Sequence, residues 1–237
     1  MRSVCTWVPQ SPHALCGRRC RVRVDGTCGL LVIAPHPDDE TIGAYGLMRR
    51  MRRRGATVRV VVVTDGAASH PGSTTWPRER LIRERQRETR RAMRLIGLTP
   101  RELTFLNLPD GALAGAAKTA WRAIATAARR MPKPAFVVAP ADADAHPDHR
   151  VVAAGVRASR VPGIQRLTYP VWPAGQQFRG SRLLMLTATE RLAKHHAIRS
   201  YRTQMGRITD DPSGFTMTAA QVAAFSRPVE TFKELRR

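Results

Sequence analysis

The chain has 237 residues, 43% of them hydrophobic and 24% charged, and 40 lysines and arginines against 18 acids give it a formal net charge of +22. Such a length and hydrophobic content exclude a disordered protein and suit one large domain, and no run approaches the ~20 uncharged apolar residues of a membrane span. Only four of the cations are lysine, and the arginines occur in every third of the chain rather than in one tract, so the charge predicts a dispersed positive surface that attracts anionic substrates rather than a localised nucleic-acid footprint.

In chain order, the first 24 residues hold five arginines and no acid, a loose likeness to a transit peptide. The simpler expectation is a poorly ordered extension over residues 1–27 ahead of one domain over residues 28–237. Cys5, Cys16, Cys20 and Cys28 all fall before the first strong motif and are not paired as CxxC, so a zinc ribbon is not indicated. A disulfide framework is not expected either, since no secretory signal is visible and the last 209 residues hold no cysteine. A reducing, cytoplasmic location is the default.

From residue 28 onward, β-branched runs alternate with helical patterns. Leu30-Leu31-Val32-Ile33-Ala34 is continuously apolar, as in a strand covered on both faces. A helix is expected over residues 41–54, with Ile42, Leu47, Met48 and Met51 on one side and Gly55 as its stop. A strand over 58–63 breaks at Thr64-Asp65-Gly66. A charged helix over 78–96 carries a thin apolar stripe (Leu81, Ile82, Met93, Ile96) and ends at Gly97. Further strands are expected over 103–106, 135–139, 165–169 and 183–186, with helices over 114–131, 149–159 and 189–204. The tail reads as irregular around one short helix at 219–225. Strands alternating with helices predict an α/β, Rossmann-like fold: a mostly parallel sheet flanked by helices, in a single domain. No GxGxxG follows the first strand, so a dinucleotide site is not indicated.

Two segments stand out against this frame. Pro35-His36-Pro37-Asp38-Asp39-Glu40 follows the first strand, and His146-Pro147-Asp148-His149 follows the fourth after a short loop. Sites of open parallel sheets lie beyond the carboxyl ends of their strands, so the two loops converge on one edge. Hydrolytic zinc sites take three protein ligands, typically His and carboxylate, and leave a position open. His36 and Asp39 can ligate from one turn and His149 can complete the set. Asp38 would then stand beside a ligand without being one, placed to take a proton. His146, three residues before His149, would lie one helical turn away on the same face, suited to stabilising an oxyanion or protonating a leaving group. Each segment alone has a structural reading: the first as an N-cap with acids favoured by the helix dipole, the second as a proline-initiated helix start. Their joint placement at two strand ends favours chemistry.

With both motifs in place, the sequence resembles the PIG-L/LmbE-like family of N-acetylglucosaminyl deacetylases. The likeness extends to Thr64-Asp65-Gly66, to Arg85-Gln86-Arg87-Glu88 on the helix that ends at Gly97, to Leu106-Asn107-Leu108-Pro109-Asp110-Gly111, to the K-x-x-A-x-x-x-Y/H-x-S-Q pattern over 194–204, and to F-x-x-P-x-E-x-F over 225–232. Thr203 stands where the family usually has serine, and Ala67 and Ala68 follow Gly66 where a charged residue is common. The resemblance implies Zn2+, or another divalent ion such as Fe2+, held by His36, Asp39 and His149, with Asp38 as general base and His146 as electrostatic or acid partner. It also implies that Arg85 and Asp110 touch the sugar. The implied reaction is hydrolysis of the N-acetyl group of an N-acetylglucosamine-type conjugate, releasing acetate and a free amine.

Two other readings compete: an arginine-rich nucleic-acid or anionic-polymer binder with a structural or vestigial metal site, and a zinc hydrolase acting on another N-acyl group. Closed structural zinc sites favour four ligands, commonly with cysteines, whereas this set is three and cysteine-free. The expected partner is a small-molecule amino sugar conjugate, with no specific nucleic acid and no transmembrane segment; an oligomer is compatible with the sequence.

Overall fold

In the computed structural model, which describes residues 29–235, the first strand β1 (Gly29–Ala34) is buried along its whole length. Successive side chains of a strand face opposite sides, so Leu30, Val32 and Ala34 enter one apolar core while Leu31 and Ile33 enter another. Both faces must therefore be covered by helices. β1 is an interior strand of a seven-stranded sheet completed by β2 (Val58–Thr64), β3 (Leu103–Leu108), β4 (Ala135–Pro140), β5 (Ile164–Tyr169), β6 (Arg182–Met185) and β7 (Val229–Glu234), in the order β3-β2-β1-β4-β5-β7-β6. β3 to β5 run parallel in this order, and β7 lies antiparallel to both β5 and β6.

Among the described residues, six α-helices flank the sheet: α1 (Asp39–Arg53), α2 (Arg78–Arg94), α3 (Ala117–Arg129), α4 (Pro147–Ala158), α5 (Ala188–Arg199) and α6 (Ala219–Phe225). The Leu30 face packs against Leu47, Met48 and Met51 of α1, Met93 of α2 and Ile198 of α5. The Leu31 face packs against Ala120 and Ile124 of α3 and Val152 and Val156 of α4. The expected α/β, mostly parallel architecture is present, and among the described residues no helix is long and apolar enough to cross a membrane. The expected extension over residues 1–27 and all four cysteines lie outside the described residues.

Three sequence expectations are corrected. The helix expected over 114–131 begins with a separate 3-10 turn, Leu113–Ala116, and the one expected to reach 204 ends at Arg199, with another 3-10 turn at Arg202–Gln204. The tail is not irregular: it contributes β7, inserted between β5 and β6. Its pattern Val-Glu-Thr-Phe-Lys-Glu hides the strand because an acid, Glu230, occupies a core position.

Glu230 is buried for a reason found in α1. That helix kinks at Ala44, which has φ −140° and ψ 17°. The Gly46 and Leu47 amides donate to the Glu230 carboxylate at 2.8 and 3.0 Å, and Lys194 Nζ of α5 adds a 2.9 Å ion pair. Beside the kink, Gly43 is required: a Cβ there would lie 2.1 Å from the Tyr169 ring. The kinked helix is thus bolted to β5, β7 and α5 just below its N-terminus. Removing one partner of a buried pair leaves the other charge uncompensated, at a cost of about 3–5 kcal/mol. Glu230→Ala is expected to lower unfolding free energy by about that amount in urea denaturation; a loss below about 1 kcal/mol would show that the bolt is dispensable.

Candidate metal centre and active site

The strand order reverses at β1, whose connection leads to β2 on one side while β4 lies on the other. Such a switch point opens a crevice beyond the strand ends, and both motifs line it. After β1 the chain makes a tight turn closed on itself: His36 N donates to Asp39 Oδ2 at 2.9 Å and Asp39 N donates to His36 O at 3.3 Å. This turn brings His36 Nδ1 to 3.2 Å from Asp39 Oδ2. From the first turn of α4, the fully buried His149 places Nε2 at 3.1 Å from His36 Nδ1 and 3.2 Å from Asp39 Oδ2.

Three donor atoms therefore form a nearly equilateral triangle. A tetrahedral ion with bonds of about 2.0–2.2 Å spaces its ligands about 3.3–3.6 Å apart, so the triangle fits such an ion with adjustments of a few tenths of an ångström. Two imidazole nitrogens at 3.1 Å also need a proton or a cation between them, since lone pairs cannot face one another. Two other groupings offer three donor atoms within 4.8 Å, His36 with His146 and His149, and His36 with Asp110 and Asp148. Both share His36 with the triangle. His146 Nδ1 already accepts from Asp148 N at 3.2 Å. Asp148 accepts from Gly111 N and Leu113 N at 2.8 and 3.1 Å, and Asp110 accepts from Ala68 N at 2.8 Å.

Each imidazole of the triangle is backed by carboxylates. His36 Nε2 lies 3.0 Å from Asp110 Oδ1 and 3.3 Å from Asp148 Oδ2. His149 Nδ1 lies 3.2 Å from Asp144 Oδ1, a close charge pair rather than a well-aligned hydrogen bond. In the metal-free protein, burial pulls both imidazoles towards neutrality, but the acids outweigh it: His36 titrates well above its ordinary value and His149 is raised to about 8. Burial pushes Asp39 up, and the two imidazoles overcome this and hold it well below the usual carboxylate range. The cluster thus concentrates negative charge around a spot that protons fill when no ion does.

Asp38 stands at the N-cap position of α1, yet its side chain makes no capping bond. The carboxylate instead meets Arg85, whose Nη2 lies 3.3 Å from Asp38 Oδ2 and donates to Pro37 O at 2.6 Å, while Nη1 donates to Gly66 O at 2.8 Å. Burial is the largest influence on Asp38 and raises its pKa well above the ordinary value, with Arg85 opposing and Asp39 and Glu40 adding to the rise. Its backbone has φ 122°, a region that side-chain-bearing residues rarely adopt. Glu40 reaches back to hold it there, accepting from Asp38 N at 3.2 Å.

His146 corrects a further expectation. It is not on the helical face of His149 but caps α4 from outside, with φ −78° and ψ 129°, and Pro147 starts the helix. The proline-initiated helix start and the chemical reading are both realised. The ring still reaches the centre, at 4.5 Å from the His36 ring and 4.9 Å from the His149 ring. Because Nδ1 accepts the Asp148 amide, the neutral ring carries its proton on Nε2. Burial, then the neighbouring imidazoles, lower its pKa.

Arg85 and Asp110, expected at the sugar, stand directly behind Asp38 and His36, with Arg85 Nη2 3.3 Å from Asp38 Oδ2 and Asp110 Oδ1 3.0 Å from His36 Nε2. Sequence reasoning gave no role to Asp144, Glu40, Glu88 or Tyr201. Tyr201 donates to Glu40, and Glu88 accepts from Thr203 N and Oγ1 at 3.0 and 2.6 Å. The 201–204 segment therefore ties the Asp38 turn to the helix carrying Arg85. The signal was available in the co-occurrence of those short patterns, but nothing in spacing says that they touch.

A family model described as GlcNAc-PI de-N-acetylase, PIG-L, matches residues 31–159, more than half of the chain. No curated protein matches it. Among solved structures, the chain is similar to N,N'-diacetylchitobiose deacetylase from Pyrococcus horikoshii, at 21% identity and TM-score 0.65 over 87% of this chain and 83% of that one. It is similar to the conserved protein TT1542 from Thermus thermophilus, at 29% identity and TM-score 0.57 over 76% and 80%. A third similar structure is the A40926 pseudoaglycone deacetylase Dbv21, at 19% identity and TM-score 0.65 over 86% and 95%.

The backbone at Asp38 generates a stability test. Asp38→Gly and Asp38→Ala lose the same carboxylate, but only glycine takes φ 122° without strain. The glycine variant is expected to be the more stable by about 1–3 kcal/mol in urea denaturation. Equal stabilities, or alanine the more stable, would show that the turn is unstrained.

Proposed function

The chain belongs to the GlcNAc-PI de-N-acetylase (PIG-L) family, a deacetylase family, and from that premise we propose that it removes the N-acetyl group of an N-acetylglucosamine-type conjugate with a divalent ion, zinc foremost. The observation that carries this reading is the triangle of His36 Nδ1, Asp39 Oδ2 and His149 Nε2, 3.1–3.2 Å on each edge. Two similar structures are named as deacetylases, one of them for a diacetylated disaccharide, which supports an amide on an amino sugar as the substrate.

The three ligands would hold the ion, which when bound would polarise the amide carbonyl and acidify the attacking water. The protein's own groups supply the proton traffic. Asp38, held by Arg85 and the Glu40-braced turn, accepts the proton of the attacking water. Its raised pKa suits a group that must take a proton and later release it. His146 presents Nε2–H to the oxygen that gains charge, and the proton that Asp38 has taken passes to the departing nitrogen. Arg85 and Asp110, beside Asp38 and His36, are the residues assigned to touch the sugar, as their match to the family's motifs implies. An acyl group other than acetyl would leave every one of these roles unchanged.

Metal analysis with a fluorescamine screen for free amine across N-acetylglucosamine conjugates tests the reading. One divalent ion per chain and amine release are expected; metal-loaded protein inert on every such conjugate would refute it. Asp38→Asn should keep its metal and lose nearly all turnover. His146→Ala should lower kcat by about 10²–10³, the effect of losing one oxyanion donor. Wild-type turnover in metal-loaded Asp38→Asn would remove Asp38 as the base.

A further inference from the structure

Asp144 belongs to none of the motifs above, yet it is 2% exposed and touches both histidines of the second motif. Its Oδ1 lies 3.2 Å from His149 Nδ1 and accepts from His146 N at 3.0 Å. Its Oδ2 accepts from Trp172 N at 2.9 Å and Val171 N at 3.3 Å, where the chain leaves β5. Trp172 is in turn fixed edge-on between Phe215 and Phe225, at ring distances of 5.9 and 5.4 Å. One buried carboxylate thus stands between a rigid aromatic anchor and the imidazole that closes the donor triangle.

His149 Nδ1 is fully buried and has no well-aligned hydrogen-bond partner, and Asp144 is the carboxylate in reach of it. We infer that Asp144 is the positioning residue for His149: it keeps the proton of the neutral imidazole on Nδ1, leaves the Nε2 lone pair for the metal, and holds the ring against the Val171–Trp172 backbone. The inference rests on the metal reading of the triangle. Carboxylates behind a ligating histidine fix its tautomer and orientation, and their loss weakens metal binding by about 10–100-fold. In Asp144→Asn the amide oxygen can serve Val171 and Trp172 only by turning its NH2 towards His149 Nδ1 and His146 N, both donors. Asparagine therefore cannot satisfy both sides.

The test is zinc affinity of the full-length protein, by competition with a fluorescent chelator at fixed pH, with the zinc-induced rise in melting temperature as a second readout. Asp144→Asn is expected to bind zinc about 10–100-fold more weakly and to show a smaller zinc-induced rise. Asp142→Asn, at an exposed acid paired with Arg157 two residues upstream of Asp144, is expected to match the wild type. A merely structural role would lower the melting temperature of the metal-free protein and leave the zinc increment and affinity alone; that outcome, or equal weakening in Asp142→Asn, overturns the proposal. Should Asp144→Asn not fold, Asp144→Glu, which displaces the carboxylate by one methylene, is expected to weaken zinc in the same titration, and wild-type affinity there overturns it too. His149→Ala separates the two readings. If it leaves zinc binding unchanged, the triangle is not the site and both fall; if it abolishes binding while Asp144→Asn binds normally, the positioning role alone fails.

Discussion

Two imidazole nitrogens and a carboxylate oxygen held 3.1–3.2 Å apart in a buried crevice are the constraint on which the rest of this molecule turns. Without a cation between them such atoms repel or waste their lone pairs, and burial amplifies that cost. The fold meets it with a surplus of carboxylates. Asp110 and Asp148 stand behind His36 and Asp144 stands behind His149. In a strongly basic chain, with 18 acids in all, this concentration at one strand edge marks where the negative charge is used.

The outer braces follow the same logic at greater distance. The Asp38 turn has a strained backbone, and it persists because several elements over-determine it. Arg85 holds it from α2, Glu40 from α1, and Tyr201 holds Glu40 from beyond α5. Glu88 then locks Thr203 to α2. The Glu230–Lys194 pair fixes the kink of α1 on the opposite side. Each brace joins buried polar groups, with Glu40, Glu88 and Glu230 as its acids, the arrangement that confers a single rigid geometry instead of a fluid one. A site that must aim a carboxylate and an imidazole at one small substrate group requires that rigidity.

Much of this was legible in the sequence. Apolar runs such as Leu30 to Ala34 announced a sheet covered on both faces, and the two histidine motifs at strand ends located the crevice. What escaped has specific causes. β7 was hidden because its core position is Glu230, whose burial depends on Lys194 and on amides freed by a kink that no periodicity encodes. His146 was expected on a helix because its spacing from His149 fits one turn, but proline at the first helical position makes the preceding residue the cap. Arg85 and Asp110 were read as sugar contacts; that each also stands against Asp38 or His36 is a long-range fact of packing that spacing does not encode. Asp144 stands two residues before the second motif and next to its histidines, but only the approach of the β4 and β5 ends gives it the Val171 and Trp172 amides.

The account rests most heavily on which face of His36 serves the metal. An anomalous difference map from crystals grown with zinc, recorded at the zinc edge, decides it directly. The account predicts one strong peak within about 2.0–2.3 Å of His36 Nδ1, Asp39 Oδ2 and His149 Nε2. A peak on the Nε2 side of His36, between Asp110 and Asp148, or none near either histidine, would contradict it.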